Sequence, residues 1–578
     1  MTVAIPASLY DTPSPSRQHM AASQVATPLD TLHPTLNVQH PDFELRLAVF
    51  EASDSMQATR NTSAIPTLHE DLLWKIFLEI TNDARDPFIF PRPILTMRHC
   101  SQVCRHWRSL ILSSSLIWGR LIDMDSFRRR TDNWMKEVVR RAGDAVLWVY
   151  AIVTDARLDL FLFTFLRENW RRVEMLLITD WTLSDGSARS LEQQQKMWTF
   201  LREPAPHLRW IMLSMCSPDS QKFLPTGLFA DNAPLLSDLC ISNTRYKFPT
   251  QASWIPNLSA VTFSDGFAVE EVLDALRKMP RLQYLKLYVN GSRLGVAGGS
   301  MIILPKLKML HCLFVDFSRA GALLQDITPS TDCCLHAEVG PYAPPVYPHH
   351  SQHQRYEAVV AKYLVPHFSL HPPSFVVFEF GREISRVYDG HLYQQPPNRG
   401  FFFSLHTSYV PSCSLIKNLS ASSCFSQVRS LQMRTFGAPF KLEELGIASF
   451  CSTFPFITTF SALEWILHAL LQEPSTTATL FPALTTLQVP DIPRPEHGAF
   501  SGEPPHQQFI QLRKALGRPI SVLEIPCTSP AIEARLDMSH LDVHIGLMVK
   551  WKFPGKDPEE YVCGSGHPER LRFDRKKW

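Results

Sequence analysis

Two stretches between residues 65 and 118 carry apolar residues three or four positions apart, the spacing of one face of an α-helix. In the first stretch these residues are Leu68, Leu72, Leu73, Ile76, Phe77 and Ile80. In the second they are Met97, Cys100, Val103, Cys104, Trp107, Leu110 and Ile111. Thr67 and Glu70 have the spacing of an N-terminal capping box. The pattern predicts short helices that bury their apolar faces against each other.

A second pattern repeats farther along the chain. Its template is proline, any residue, leucine, two further residues, and then two apolar residues one position apart. The six copies are Pro206 with Leu208, Ile211 and Leu213; Pro234 with Leu236, Leu239 and Ile241; Pro256 with Leu258, Val261 and Phe263; Pro280 with Leu282, Leu285 and Leu287; Pro305 with Leu307, Leu310 and Cys312; and Pro482 with Leu484, Leu487 and Val489. The spacing of the first five copies is 28, 22, 24 and 25 residues.

Each copy of the template predicts a short strand with one apolar face, because alternate residues of a strand point to the same side. A helix pattern over Val269 to Met279 would cover such a face. One unit cannot bury itself, but stacked units form a continuous core. The spacing resembles that of leucine-rich repeats. We therefore predict an irregular leucine-rich-repeat-like α/β solenoid, a horseshoe. Weaker copies are Val173-Leu176-Ile178, Phe375-Phe378-Phe380, Val428-Leu431-Met433 and Ile520-Leu523-Ile525.

The rest of the sequence sets the predicted domain boundaries. Residues 1–62 are rich in Pro, Ser, Thr, His and Gln and are predicted to be a disordered arm, with a docking peptide as the alternative. The helical unit is 63–122, the solenoid is 123–530, and 531–578 is a cap that ends in a basic tail. Proline-rich loops are expected near 341–356 and 490–508. The interval between Pro305 and Pro482 has room for about seven more units.

Residues 65–118 resemble an F-box, the adaptor-binding motif of cullin–RING ubiquitin ligase receptors. The resemblance rests on Leu68 and Asp71 followed by Leu73, Ile76 and Phe77, on the run Val103-Cys104-Arg105-x-Trp107-Arg108, and on Leu116-x-Trp118. His69 stands where the family usually has proline, and the connection from Thr81 to Pro93 is longer than the family's compact pattern. The whole layout is similar to the large F-box families of mushroom-forming fungi, which carry degenerate leucine-rich repeats behind the box.

The resemblance implies a small all-helical F-box that binds a Skp-family adaptor and, through it, a cullin. The chain would then be a non-catalytic substrate-recognition subunit of an SCF-type ubiquitin ligase. The adaptor-binding residues implied are Pro66, Leu68, Leu72, Leu73, Ile76, Phe77, Val103, Trp107, Leu110, Ile111 and Trp118. The protein target would bind the solenoid, and residues between the apolar positions are candidates to face it: Arg209, Asp238, Tyr284, Lys286 and Lys308.

Two further hypotheses stay open at the level of sequence. The chain is a structural or scaffold F-box protein without a ligase role, or a leucine-rich protein-binding module. Alternatively, the solenoid contains an enzyme whose turnover the F-box controls. Co-purification of cullin as well as adaptor would separate the ligase subunit from the scaffold protein. A well-formed pocket with convergent polar groups would favour an enzyme.

Composition limits the classes of partner and the compartment that we expect. The 57 basic and 55 acidic residues nearly balance, so the sequence gives no argument for nucleic acid or an anionic membrane as a partner. The 12 cysteines are scattered, as is typical of free thiols in a reducing compartment. No apolar run approaches the roughly 18 residues of a membrane helix. We expect a protein of the cytoplasm, the nucleus or both.

No motif for a cofactor or a catalytic metal is present. Cys100 and Cys104 beside His99 fit a helix core better than a metal site, and His349, His350 and His353 fit a polar loop better. A catalytic set scattered in sequence remains open, but no motif supports one. We therefore predict no metal, no cofactor and no catalytic residue.

Overall fold

Short strands that pair with their sequence neighbours run through most of the chain. The structure, a computed structural model, describes residues 68–82, 92–127, 132–153, 156–180, 196–215, 224–225, 227–242, 246, 248–264, 267–289, 301–314, 317–339, 350–381, 385–389, 402–405, 418–419, 424–436, 450–490, 502–526, 536–553 and 557–573. These residues belong to one compact unit, Ala58–Trp578. The predicted arm, 1–62, lies outside the described residues.

The described helices fall mainly at the N-terminus and between strands. They are α1 (Glu70–Asn82), α2 (Pro93–Val103), α3 (Arg105–Ser113), α4 (Ser115–Gly119), α5 (Met124–Phe127), α6 (Asp132–Ala142), α7 (Ala156–Asn169), α8 (Val269–Leu276), α9 (Phe317–Asp326), α10 (His350–Leu370), α11 (Glu464–Leu471), α12 (Pro474–Thr477) and α13 (Pro505–Ala515).

The described strands number 22. They are β1 (Ile122–Asp123), β2 (Leu147–Val153), β3 (Val173–Asp180), β4 (Trp210–Met215), β5 (Asp238–Ser242), β6 (Ala260–Phe263), β7 (Tyr284–Val289), β8 (Ile302–Leu304), β9 (Met309–Phe314), β10 (Ile327–Pro329), β11 (Cys334–Val339), β12 (Phe375–Gly381), β13 (Ser385–Asp389), β14 (Phe402–Leu405), β15 (Ser430–Phe436), β16 (Thr459–Ala462), β17 (Thr486–Gln488), β18 (Val522–Pro526), β19 (Leu536–Asp537), β20 (Met548–Lys552), β21 (Glu559–Val562) and β22 (Arg572–Phe573).

Eighteen of these strands form one sheet whose order nearly follows the chain. Pairing runs from β1 through β7 to β9, β11 and β14, returns through β13 and β12, and continues from β15 through β18 to β20 and β21. The pairs are parallel except where β13 meets its two neighbours and where β20 meets β21. Such sequential parallel pairing is the arrangement that the repeat predicts.

The proline of each repeat occupies the second position of a tight turn. In the first copy the Leu208 amide donates to the Ala205 carbonyl oxygen at 3.2 Å, and the same bond closes the turn in the other five copies. Proline favours this position because its fixed φ matches the turn. The leucine that follows enters the core, where none of the six is more than 2% exposed: Leu208, Leu236, Leu258, Leu282, Leu307 and Leu484.

The two apolar residues after each leucine form continuous ladders across the sheet. One ladder joins Ile211, Leu239, Val261, Leu285, Leu310 and Leu335. The next joins Leu213, Ile241, Phe263, Leu287, Cys312 and Ala337. Every one of these side chains is at most 2% exposed. The buried ladder fixes the register, because a shift by one residue would turn each apolar side chain to the other face.

Between β9 and β17 the repeat departs from the prediction. The sheet has six described strands there, and the antiparallel β13 interrupts the parallel order. The weaker copy Phe375-Phe378-Phe380 is wrong by two positions, because Val376 and Phe378 pair with the core residues Leu431 and Met433. Pro373, which is buried, takes the position of the leucine.

Two predicted loops are partly helical. The helix α10 begins at His350, within the loop expected near 341–356, and Tyr356 on it is fully buried. The helix α13 begins at Pro505, within the loop expected near 490–508, and buries Phe509. In both segments, apolar residues after the polar run supply a face that packs into the core. Residues 341–349 and 491–501 lie outside the described residues.

The N-terminal helices pack directly onto the start of the sheet. The strand β1 pairs in parallel with β2, and the guanidinium of Arg92 at the start of α2 binds Asp123 at 3.0 Å and also Asp125. Gly119, at the end of α4, lies close to the backbone just before β2. A methyl group at this position would lie 2.4 Å from the Val146 carbonyl oxygen. The close approach therefore requires glycine.

Replacing Gly119 with alanine tests this packing. We expect Gly119→Ala to lower the free energy of unfolding by about 1–3 kcal/mol, because the added methyl overlaps a backbone oxygen that cannot move alone. Urea denaturation is the measurement. The matched control is Gly321→Ala on α9, where the added methyl would lie 3.7 Å from the nearest atom. That control is expected to be neutral or slightly stabilising, and equal destabilisation by both variants would contradict the packing described.

A buried cluster of imidazoles joins α11, α13 and the C-terminal segment. His506 donates its backbone amide to the Glu464 carboxylate at 3.0 Å and also bonds that carboxylate through Nδ1. His540 Nε2 lies 3.4 Å from His506 Nε2, and His544 is buried nearby. Burial and then His506 lower the pKa of His540, and burial and then Lys514 lower the pKa of His544.

The lowered pKa values predict a loss of stability in acid. The folded chain binds fewer protons at His540 and His544 than the unfolded chain. Their contribution to stability is therefore fully present above the ordinary histidine pKa of 6.5, and it is lost as the pH falls from there through the lower pKa values of the folded chain. We expect the urea midpoint to fall between about pH 8 and about pH 5. The double variant His540→Gln, His544→Gln should show a smaller fall. An identical pH dependence in both proteins would contradict the assignment.

Candidate functional site

Burial divides the predicted adaptor-binding residues into two groups. Leu73, Phe77, Ile111 and Trp118 are buried, so they form the core of the helical unit. Trp107 and Leu110 are partly buried and pack against that core. Leu68, Leu72, Ile76 and Val103 are exposed. Pro66 and Thr67 lie outside the described residues.

Aromatic contacts hold the buried group together. The rings of Phe77 and Trp107 meet edge to face with centroids 5.3 Å apart. The Trp118 indole N–H donates to the Ile111 carbonyl oxygen at 2.8 Å, and the Arg141 guanidinium lies 5.3 Å from the Trp118 ring centroid. These contacts connect α1, α3, α4 and α6. They fix the backbone that carries the exposed residues.

The second predicted helix is broken at Cys104. This residue is extended (φ −154°, ψ 168°), and its Sγ accepts a hydrogen bond from the Trp107 amide at 3.4 Å. The break ends α2 at Val103 and starts α3 at Arg105. Cys104 therefore acts as an N-cap rather than as a core residue, and Val103 is 61% exposed although the helical spacing placed it on the buried face.

The start of α1 is set by His69. Its carbonyl oxygen accepts from the Leu72 and Leu73 amides at 2.9 and 3.1 Å. Its Nδ1 lies 3.4 Å from the Asp71 amide. The helix begins at Glu70, so Glu70 is its first residue and not the third residue of a capping box.

Sequence reasoning missed two exposed apolar residues in this unit. Trp74 and Leu95 are more than a third exposed. Trp74 lies two positions after the exposed Leu72. Only its large side chain could have marked it in the sequence as a candidate contact residue. Together with the exposed residues above they form a set that we call the helix patch: Leu68, Leu72, Trp74, Ile76, Leu95 and Val103. Leu72 and Ile76 are four residues apart and share one face of α1. Apolar side chains exposed together on one face are typical of an interaction site.

A second candidate surface lies on the sheet face opposite the buried ladders. A cavity of about 200 Å³ opens there across β4, β5, β6, β7 and β9. Its floor consists of small side chains, Ala260, Thr262 and Cys240. Its walls are larger: Trp210, Asp238, Tyr284, Lys286, Met309 and His311. We call this cavity the sheet hollow.

One end of the sheet hollow is electropositive. The Lys286 ammonium lies 5.0 Å from the Tyr288 ring centroid, and Lys286 is in register with His311 on β9. The imidazole of His311 stacks on that of His336, with centroids 4.1 Å apart. Burial, then His336 and then Lys286 lower the pKa of His311 to about 3. His311 is therefore neutral at physiological pH.

The sheet hollow brings together three of the five predicted target-binding residues, Asp238, Tyr284 and Lys286. The other two do not line it. Arg209 forms an ion pair with Glu174 at 3.0 Å, and Lys308 is exposed just before β9. Burial raises the pKa of the Cys240 thiol, which does not favour a nucleophilic role for this residue.

Metal chemistry finds no support in the part of the chain that the structure describes, where no group of three or more His, Cys, Asp and Glu side chains is placed to hold an ion. The nine cysteines within the described ranges are free. Glu137 binds Arg140 and Arg141, and the Arg140 hydrogen bond lowers the pKa of its carboxyl to about 2. No helix over the described ranges is long and apolar enough to cross a membrane.

Comparison with known proteins gives a limited result. No family model and no curated protein matches the sequence. Among solved structures, a leucine-rich-repeat-containing protein, LegL7 from Legionella pneumophila, is 10% identical and aligns over 58% of this chain and 89% of its own, with a TM-score of 0.23. An internalin (inlF) from Listeria monocytogenes is also 10% identical and aligns over 59% and 85%, with a TM-score of 0.21. At these scores neither likeness carries an argument, and the description of the fold rests on the strand pairing itself.

Adjacent residues on α1 provide a test of the division between core and patch. We expect Phe77→Ala to lower the opening free energy of the N-terminal helices by about 3–5 kcal/mol, because it empties a fully buried site. Ile76→Ala, at a side chain that is 44% exposed, should change it by less than about 0.5 kcal/mol. Amide hydrogen exchange of α2 and α3 is the measurement. Similar effects of the two substitutions would refute the division.

Proposed function

We propose that this chain is the substrate-recognition subunit of an SCF-type cullin–RING ubiquitin ligase. The helix patch binds the Skp-family adaptor, and the sheet binds a protein target. The chain contributes no catalytic residue. Its role is to hold the target near a ubiquitin-charged enzyme, so that a high effective concentration promotes transfer. The protein acts in the cytoplasm, the nucleus or both.

The observation that carries the proposal is the exposure of the helix patch. Six large apolar side chains of this small helical unit are more than a third exposed, and a partner that covered them would gain apolar burial. Four of the six are among the adaptor-binding residues that the F-box resemblance implies, namely Leu68, Leu72, Ile76 and Val103. The other implied residues that the structure describes are buried in the core or packed against it.

The departures from the F-box pattern do not remove this surface. His69 replaces the usual proline, but its carbonyl oxygen starts α1. The longer connection between α1 and α2 leaves Leu73 and Met97 buried in one core. The apolar residues that would contact an adaptor therefore keep a rigid support.

The test compares two triple variants. Leu72→Ser, Ile76→Ser and Val103→Ser together remove part of the helix patch without touching the core. We expect the affinity for a purified Skp-family adaptor, measured by calorimetry, to fall by about 100-fold, which corresponds to the loss of about 1 kcal/mol at each of the three residues. The same variant should lose both adaptor and cullin in a pull-down from cells.

The matched control carries three serines at apolar positions elsewhere that are more exposed still: Leu160, Ile303 and Ile545. It should bind the adaptor like the wild type. No adaptor binding by the wild-type chain would refute the F-box function and leave a leucine-rich protein-binding module. Adaptor binding without cullin in the pull-down would favour a scaffold role over a ligase role.

A further inference from the structure

The sheet hollow exists because small residues in two ladders are flanked by large ones. On this face one ladder reads Trp210, Asp238, Ala260, Tyr284 and Met309 across five strands. The adjacent ladder reads Met212, Cys240, Thr262, Lys286 and His311. Neighbouring strands are about 4.8 Å apart, so the gap over Ala260 and Thr262 has the width of one side chain.

The walls of the sheet hollow suit an apolar anchor. Its lining is mostly apolar, with Trp210 on one side and Tyr284 and Met309 on the other. A cavity of about 200 Å³ is large enough for one branched or aromatic side chain. Buried anchors of this kind contribute much of the affinity of protein interfaces.

Charged residues at the two ends of the sheet hollow determine where an occupant can carry a charge and of which sign. Among the described residues Lys286 forms no ion pair, and its ammonium lies over the Tyr288 ring face. A carboxylate placed here would pair with the Lys286 ammonium. Asp238 lies at the opposite end, two strands from Tyr284, and so disfavours a carboxylate on that side.

We propose that the sheet hollow is the anchoring socket for the protein target, and that it takes an extended segment with one branched or aromatic side chain and a carboxylate two residues away. The anchor fills the space over Ala260, and the carboxylate binds Lys286. Spacing by two follows because alternate residues of an extended segment point to the same side. This inference rests on the proposed function only in taking the occupant to be a protein.

Synthetic peptides test the socket with the full-length chain. Three mixtures of peptides of about nine residues are used. In each mixture one fixed position carries Leu, Phe or Trp, and the other positions carry Gly, Ser and Thr. The position two residues after the anchor is Glu in the first mixture, Gln in the second and Lys in the third. We expect the immobilised wild type to retain the Glu mixture about tenfold more than the Gln mixture, and the Lys mixture least. Equal retention of the three mixtures would overturn the proposal.

Variants separate the anchor from the charge. Ala260→Leu fills the socket and should abolish retention of all mixtures, whereas Lys286→Met should abolish only the preference for Glu. Thr459→Leu is the matched control, because Thr459 lies on β16 at a partly exposed position away from the socket. Circular dichroism verifies folding. Retention unchanged by Ala260→Leu, or lost equally in Thr459→Leu, would refute the assignment.

Sedimentation of the wild type distinguishes a second copy of the chain as the occupant. We expect the wild type not to self-associate through the sheet hollow. Self-association of the wild type that is lost in Ala260→Leu would overturn the proposal. The peptide assay contains no adaptor and reads only the sheet, whereas the adaptor assay reads only the helix patch. Failure of one is therefore distinguishable from failure of the other.

Discussion

Each repeat strand of this sheet has one apolar face that must be buried. The face becomes part of a core only when neighbouring strands pair and place their apolar faces beside it. A copy such as Leu236, Leu239 and Ile241 places three apolar side chains on one side. A single strand of about five residues cannot bury them, but the parallel ladders join them to the preceding and following copies. The register follows from this burial. The residues on the opposite face do not pack into this core, so their size and charge are less constrained. The sheet hollow lies on that face.

The N-terminal helices depend on the same core. Their buried residues, including Leu73, Phe77 and Met97, belong to one continuous apolar cluster with the first strands of the sheet. Arg92 reaches from α2 to Asp123 on β1, and the Arg120 guanidinium lies 4.3 Å from the Trp148 ring centroid on β2. A helical unit this small gains stability from its neighbour. The helix patch is therefore displayed on helices that pack against the sheet.

The repeat could be predicted from sequence because its signal is local and occurs six times. Proline fixes the turn, leucine enters the core, and the next two apolar residues alternate on one face. The antiparallel β13 could not be predicted, because its position depends on pairing between strands far apart in sequence. The wrong register at Phe375 has a similar cause. Three phenylalanines satisfy the apolar template, and only pairing with β15 shows that Val376 and Phe378 take its last two apolar positions.

The candidate site was predictable in composition more than in geometry. The helical periodicity placed Val103 and Cys104 on a buried face, but the extended backbone at Cys104 breaks the helix and turns Val103 outward. Asp238, Tyr284 and Lys286 were identified because they alternate with core residues. The depth of the sheet hollow could not be seen, because it depends on Ala260 and Thr262 lying between larger residues of other strands. The imidazole pair of His311 and His336 likewise comes from two strands joined only by the register.

The most direct test of the account is to map the adaptor's footprint on this chain. Amide hydrogen exchange of the full-length protein would be measured with and without a purified Skp-family adaptor. The account predicts slower exchange in α1, α2 and α3 and no change in β4 through β9. Protection confined to the sheet, or no protection at any concentration tested, would contradict the central claim that the helix patch is a docking surface.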